Sequence, residues 1–146
     1  MTKLSIALKR LDPEMALPKY AYEGDAALDI SSRIDTIIPP HERACIPTGL
    51  ALGLAQGYAA FVLPRSGLAK NRGITILNSP GLIDSNYRGE LCVVLYNTDN
   101  DQPFVIKKHD RIAQLLIAPV PEISFQEVEV LDETQRNGSG FGSSGI

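Results

Sequence analysis

Ten residues near the end of the chain, Arg136-Asn137-Gly138-Ser139-Gly140-Phe141-Gly142-Ser143-Ser144-Gly145, combine one fixed cation, four glycines, three hydroxyls and a single aromatic ring. Glycines let backbone N–H groups approach an anion closely, and an arginine fork with hydroxyl donors completes a phosphate cradle. Phe141 has no apolar neighbours with which to form a core, so its ring is available to lie over a flat partner such as a nucleobase. A flexible Gly/Ser tail is the competing reading of the same residues.

Further along the same chemistry, Pro64-Arg65-Ser66-Gly67-Leu68-Ala69 directly follows an apolar run. Pro64 ends a strand, Arg65 offers a bidentate phosphate fork, and Ser66 can cap the next turn or donate to an anion. A capped surface turn with a solvated arginine is the plainer alternative. Gly81-Leu82-Ile83-Asp84-Ser85-Asn86-Tyr87-Arg88-Gly89-Glu90 reads as a hairpin with turn chemistry at its tip. Asp84, partly desolvated behind two apolar residues, can act on a water as general base, with the Tyr87 ring beside it; an Asx turn bonding its own backbone is the alternative. Asp29 lies in Ala26-Ala27-Leu28-Asp29-Ile30, where a carboxylate needs a cation or a metal-bound water as partner. Gln114 is the one polar side chain inside Ile112 to Ile117, facing either a pocket or a neighbouring strand. His41 and His109 sit among charged or turn residues and read as exposed, and Lys107-Lys108 as a solvated turn before Asp110.

The elements that must position these groups are short strands. Tyr58 to Leu63, Leu91 to Tyr96 and Ile112 to Ala118 are apolar runs of strand length, Leu4 to Leu8 alternates, and Pro and Gly punctuate the intervals. One helical turn fits Ser66 to Lys70 with Ser66 as N-cap. Nowhere else does a helical period persist, so the fold class is all-β, a jelly-roll-like sandwich. Runs apolar on both faces predict a second covering layer or subunit. The chain has 146 residues, enough for a single domain with a real core, and its net charge of −3 gives no field for a nucleic-acid polymer or an anionic membrane. No apolar run approaches the ~20 residues of a membrane span, and Met1 to Ser5 lacks the apolar stretch of a secretory signal, so a cytoplasmic location is expected. Cys45 and Cys92, each among apolar residues, read as buried thiols of a reducing compartment, and no zinc-ligand spacing exists.

In order along the chain, these five segments resemble the homotrimeric class of deoxyuridine triphosphate nucleotidohydrolases, the dUTPases. The similarity runs from Ala26 to Gly145, and its most specific parts are Pro-Arg-Ser-Gly-Leu-Ala and Gly-Leu-Ile-Asp-Ser-Asn-Tyr-Arg-Gly. It implies a dUTPase-like β-clip sandwich over residues 1–132, a flexible glycine-rich arm over 133–146, and a three-fold trimer. Active sites then lie between subunits, each closed by the arm of a neighbour. The implied reaction is dUTP + H2O → dUMP + pyrophosphate with Mg2+. Asp84 would activate the water, and Gln114 and Arg136 would complete the catalytic set. Arg65, Ser66, Gly67, Gln114, Arg136, Gly142 and Ser143 would hold the phosphates, and Asp29 would hold Mg2+ through water. Tyr87 would pack beneath the deoxyribose and exclude a 2′-hydroxyl. Leu82, Ile83 and Cys92 would read the uracil edge through their backbone, with Asn78 close by, and Phe141 would cover the ring. Three positions depart from the family pattern: Asn137, Ser139 and Ala27 stand where glycine is usual. Asn tolerates positive φ better than most residues, so the arm can still close. A dCTP deaminase on the same fold, or a silent nucleotide-binding jelly roll, are the alternatives; the intact Gly-Leu-Ile-Asp and Phe-Gly-Ser-Ser segments argue against the first, and Asp29, Arg65 and Asp84 together against the second.

Overall fold

Antiparallel pairing accounts for every strand ladder in the computed structural model, which describes residues 4–141. The strands are β1 (Ala7–Arg10), β2 (Leu28–Ser31), β3 (Thr36–Ile38), β4 (Arg43–Pro47), β5 (Leu50–Gly53), β6 (Tyr58–Leu63), β7 (Ile74–Ile76), β8 (Gly81–Ile83), β9 (Cys92–Asn97), β10 (Phe104–Ile106) and β11 (Arg111–Pro119), with one helix, α1 (Ser66–Arg72). A four-stranded sheet runs β2-β11-β6-β8 and a three-stranded sheet β4-β9-β7, joined by the pairs β1-β5 and β10-β3. Ile30, Val62, Ala113 and Leu115 of the larger sheet share one core with Ile46, Ile74, Ile76, Val93 and Leu95 of the smaller. The result is the all-β, jelly-roll-like sandwich that the strand spacing implies. No helix of the described residues is long and apolar enough to cross a membrane.

Period-two alternation decides which apolar residues enter the core. In β9, Val93, Leu95 and Asn97 are buried, whereas Cys92 is exposed. Cys45 is likewise exposed, one residue from buried Ile46. The expectation of buried thiols is therefore corrected: both runs are apolar on two faces, and the cysteines fall on the outer one. Strand β11 keeps Leu116, Ile117 and Ala118 only half-buried, so one face of the larger sheet remains thinly covered.

Three further expectations shift. The first strand begins at Ala7 rather than Leu4, because its ladder with β5 runs from Ala7 opposite Gly53 to Arg10 opposite Leu50. Arg65, not Ser66, occupies the N-cap position with extended backbone, and no side chain caps α1. Gly73 closes the helix at φ +61°, donating its N–H to Leu68 and Ala69 carbonyls, and a Cβ there would stand 2.6 Å from Thr98 Oγ1. The Gly81–Glu90 segment is not a hairpin, since β8 pairs with β6 while β9 pairs with β4 and β7. Its turn, closed by Tyr87 N–H donating to the Asp84 carbonyl at 3.1 Å, carries the chain from one sheet to the other.

Lys108 is not a solvated turn residue. It pairs with Asp12 Oδ2 at 3.0 Å and with Glu14, while Arg33 pairs with Asp12 at 3.4 Å and with Glu90 at 3.1 Å. This network fastens the segment after β1 to the sandwich. His41 and His109 are exposed, as expected, each at positive φ.

Candidate active site

Pairing across the larger sheet brings three separated motifs into one row. Gln114 on β11 lies opposite Asp29 on β2 and opposite Leu63 on β6, and Pro64-Arg65 follows Leu63 directly. Asp29 is the hub of this cluster. Its Oδ1 stands 3.3 Å from Arg65 Nε and its Oδ2 accepts a hydrogen bond from Arg111 Nη1 at 3.2 Å. Arg65 Nη1 donates to the Arg111 carbonyl at 2.9 Å. The Arg65 Nε contact is electrostatic rather than a directed hydrogen bond, because this buried atom meets no acceptor in line. Asp29 thus finds the cationic partner its apolar setting demands, and finds two. Ser66, one residue on, is exposed at the start of α1. Two guanidinium groups against one carboxylate leave this end of the sheet cationic, which suits a polyphosphate.

A second group gathers along β8. Among the described residues this strand is an edge of its sheet, so its outer backbone N–H and C=O groups can pair with a ligand edge. Leu82 is exposed opposite Phe61, and Ile83 is half-buried opposite Ala60. Asn78 is exposed, its Nδ2 3.7 Å from where a Cβ on Gly81 would stand. Tyr87 donates its hydroxyl to the Glu90 carbonyl at 3.0 Å, and its ring lies so close to Gly89 that any Cβ there would collide with it. Asp84 ends β8 exposed, on an open cleft of about 690 Å³ that it shares with Gln56, Tyr58, Arg88 and Val120. The expected desolvation of Asp84 is absent within a single chain. Cys92 lies instead on β9, opposite Pro47 in the smaller sheet, with its thiol pushed up to about 11 by partial burial first and then by Cys45 and Glu90. It is a protonated thiol at neutral pH, with no thiolate nucleophile to offer.

The two groups sit at opposite ends of β6. Ile83 pairs with Ala60, so Asp84 falls beside Ala59, whereas Arg65 lies past Leu63. At ~3.3 Å per residue, six residues of strand put Asp84 about 20 Å from Arg65. Within one chain the two groups are thus separated along the length of the strand.

After Pro119 the chain leaves the sandwich. Val120 N–H donates to the Gly57 carbonyl at 2.8 Å, and residues 121–141 are exposed. This exposed stretch follows directly on β11. It carries Ile123, Phe125, Val128 and Val130 exposed to solvent. Among the described residues, the hydrogen bonds of the arm are its own: Thr134 and Asn137 exchange two, at 2.8 and 3.0 Å, and Arg136 Nε donates to the Ser139 carbonyl at 2.7 Å. Asn137 adopts φ +44°, so asparagine does fill a position of positive φ where glycine is usual. Phe141 is fully exposed. Gly142, Ser143 and Ser144 lie outside the described residues.

Arg111 is the site residue that sequence reasoning missed. It stands three positions before Gln114, and strict alternation would send the two to opposite faces. A β-bulge between Arg111 and Ala113 absorbs one residue and returns Arg111 to the face of Asp29.

The protein is an all-β, jelly-roll-like sandwich with an arginine–carboxylate cluster at one sheet end and an acid just past an edge strand, features compatible with a nucleotide triphosphate. The family model described as dUTPase matches residues 13–145, and the chain belongs to that family. Among curated relatives, the deoxyuridine 5'-triphosphate nucleotidohydrolase of Corynebacterium glutamicum is 47% identical over 146 residues, covering 99% of this chain and 98% of that one. The enzyme of the same description from Thermobifida fusca is 47% identical over 140 residues, covering 96% of this chain and 78% of its own. Among solved structures, a dUTPase of Staphylococcus bacteriophage 80alpha with dUPNHPP superposes at a TM-score of 0.91 with 27% identity, covering 99% of this chain and 100% of that one.

Proposed function

We propose that this chain hydrolyses dUTP to dUMP and pyrophosphate, limiting uracil incorporation into DNA and supplying dUMP for thymidylate synthesis. The observation that carries the reading is the division of the motif residues along β6: a cationic Asp29–Arg65–Arg111 cluster beside Gln114 at one end, and Asp84 with the edge strand β8 at the other. A substrate with a flat polar ring at one end and a triphosphate at the other matches those two surfaces once they face each other across a subunit boundary. The functional assembly is accordingly a homotrimer, with Asp84, Tyr87 and Asn78 from one chain and Arg65, Ser66, Gly67 and Gln114 from its neighbour. The half-covered face of β11 and the exposed Ile123, Phe125 and Val130 support such an assembly, since both leave apolar surface for a second chain.

Asp84 takes a proton from a water aligned with the α-phosphorus, and that water oxygen forms the new P–O bond. The bond from the α-phosphorus to its bridging oxygen breaks, and pyrophosphate leaves with the electron pair. Gln114, Arg65, Ser66 and Arg136 neutralise charge where it shifts, with Gly142 and Ser143 of the arm closing over the phosphates. Tyr87, braced on Gly89, leaves no room for a 2′-hydroxyl. The edge of β8 at Leu82 and Ile83, with Cys92 and Asn78 nearby, pairs with the uracil and rejects thymine's methyl by fit, while Phe141 covers the ring and excludes water.

Among the described residues there is no cluster of three or more His, Cys, Asp or Glu side chains able to hold a metal. Mg2+ keeps most of its waters and binds through substrate phosphates with few protein carboxylates, so it asks for no such cluster. Asp29 is the residue that would hold its water shell. When bound, Mg2+ supplies charge neutralisation and alignment of the phosphate chain. The arm over residues 133–146 closes the site of a neighbouring chain over the 1–132 domain, and the enzyme works in the cytoplasm. Pyrophosphate release from dUTP, dTTP, dCTP and UTP, with and without magnesium, tests this reading. Selective, magnesium-stimulated turnover of dUTP is expected; equal turnover of dTTP, or ammonia release from dCTP, overturns it.

A further inference from the structure

We infer that Arg111 is a positioning residue for the triphosphate: it anchors Asp29 by its outer oxygen and so keeps Arg65 aimed at phosphate, a role that rests on the dUTP reading above. Three observations carry it. First, the bulge between Arg111 and Ala113 turns Arg111 onto the face shared by Asp29 and Gln114, at the cost of a disrupted ladder. Second, Arg111 engages both partners of the cluster, since its guanidinium donates to Asp29 Oδ2 at 3.2 Å and its carbonyl accepts from Arg65 Nη1 at 2.9 Å. Third, Arg65 Nε stands 3.3 Å from Asp29 Oδ1 yet finds no acceptor in line.

The third observation shows what the second accomplishes. A lone carboxylate and guanidinium settle into a two-pronged fork with parallel N–H···O bonds. Here Arg111 holds the far oxygen, so the carboxylate cannot swing into that fork, and among the described residues Arg65 Nη2 meets no acceptor. Removing the Arg111 guanidinium frees Oδ2, lets Asp29 close on Arg65 in the fork geometry, and withdraws the fork from incoming phosphate.

The test is a double-mutant cycle read by calorimetric binding to the full-length protein. Arg111→Ala should weaken binding of the non-hydrolysable dUPNHPP about tenfold, as contacting residues couple. Binding of dUMP should stay within about twofold, because the base-reading edge of β8 is untouched. Arg111→Lys, which restores the charge without the planar fork, should recover part of the loss. In an Asp29→Asn background, the further change Arg111→Ala should have almost no effect, because the residue acts through Asp29. An undiminished effect in that background would mean that Arg111 acts on phosphate independently, and equal weakening of dUMP would mean a general structural role; either overturns the inference. Arg111→Met, which keeps an unbranched stem of similar reach without charge or N–H donors, replaces the alanine variant if melting shows that the latter is misfolded. Failure of the wild-type protein to bind dUPNHPP would sink the dUTP reading with the inference, whereas wild-type binding that Arg111→Ala leaves unchanged would sink the inference alone.

Discussion

Mixing two inactive variants should restore activity. Asp84→Asn removes the proton acceptor, at an expected loss of ~10²–10⁴ in turnover. Arg65→Ala removes a charged donor at the phosphates, at an expected loss of ~10²–10³. In one chain these residues are about 20 Å apart along β6, and in the proposed assembly a site containing both draws them from two chains. Consider a three-fold assembly in which each site takes Asp84 from one chain and Arg65 from the next. After unfolding and refolding an equimolar mixture, a site is intact when its first chain is the Arg65→Ala variant and its second the Asp84→Asn variant. Random assortment makes that about a quarter of all sites, so pyrophosphate release should recover to about a quarter of the wild-type rate per chain. Either variant refolded alone should stay at its own low level. Sedimentation of differently tagged chains confirms that exchange occurred. Recovery absent from fully exchanged assemblies would refute the argument from strand register, because it would put both residues in the same chain's site.

Deleting residues 136–146 should leave melting and assembly nearly unchanged, since among the described residues the arm bonds only to itself, while turnover falls by at least ~10²-fold; Phe141→Ala should do part of that damage. Gly73→Ala should destabilise the fold by about 1–3 kcal/mol in chemical denaturation, through strain at φ +61° and a collision with Thr98. Asp12 is held below its ordinary 3.8, chiefly by the Lys108 hydrogen bond and next by the Glu14 amide. Its depressed folded-state value contributes stability that is present above pH 3.8 and lost as pH falls below that, so Asp12→Asn should flatten the acid limb of a melting-temperature profile in that window.

Much of the architecture was legible because it rests on apolar runs and punctuation. Tyr58 to Leu63 is a strand with the bounds its composition implies, and the run before Pro119 differs from β11 by one residue at each end. What was not legible depends on partners distant in sequence. The Gly81–Glu90 segment has every local mark of a hairpin, yet its arms join different sheets, a choice made by β6 on one side and β4 and β7 on the other. The exposure of Cys45 and Cys92 was hidden because a strand apolar on both faces does not announce which face turns inward. In the site, Arg65 was readable as a phosphate fork, Asp29 as a carboxylate in need of a cationic partner, and Gln114 as a polar group facing a pocket or a neighbouring strand. Arg111 was not, because a single bulge reversed the face that alternation assigns it. Its only sequence signal is a cation at the head of the strand that carries Gln114.

The central claim is that a water activated by Asp84 attacks the α-phosphorus of dUTP. Turnover in water enriched in heavy oxygen, followed by mass spectrometry of both products, tests it most directly. The label should enter dUMP, one atom per turnover, and pyrophosphate should carry none, with Asp84→Asn slowing the appearance of labelled dUMP without redirecting it. Label in pyrophosphate would mean attack at the β-phosphorus, and release of inorganic phosphate in its place would mean attack at the γ-phosphorus; either would contradict the account.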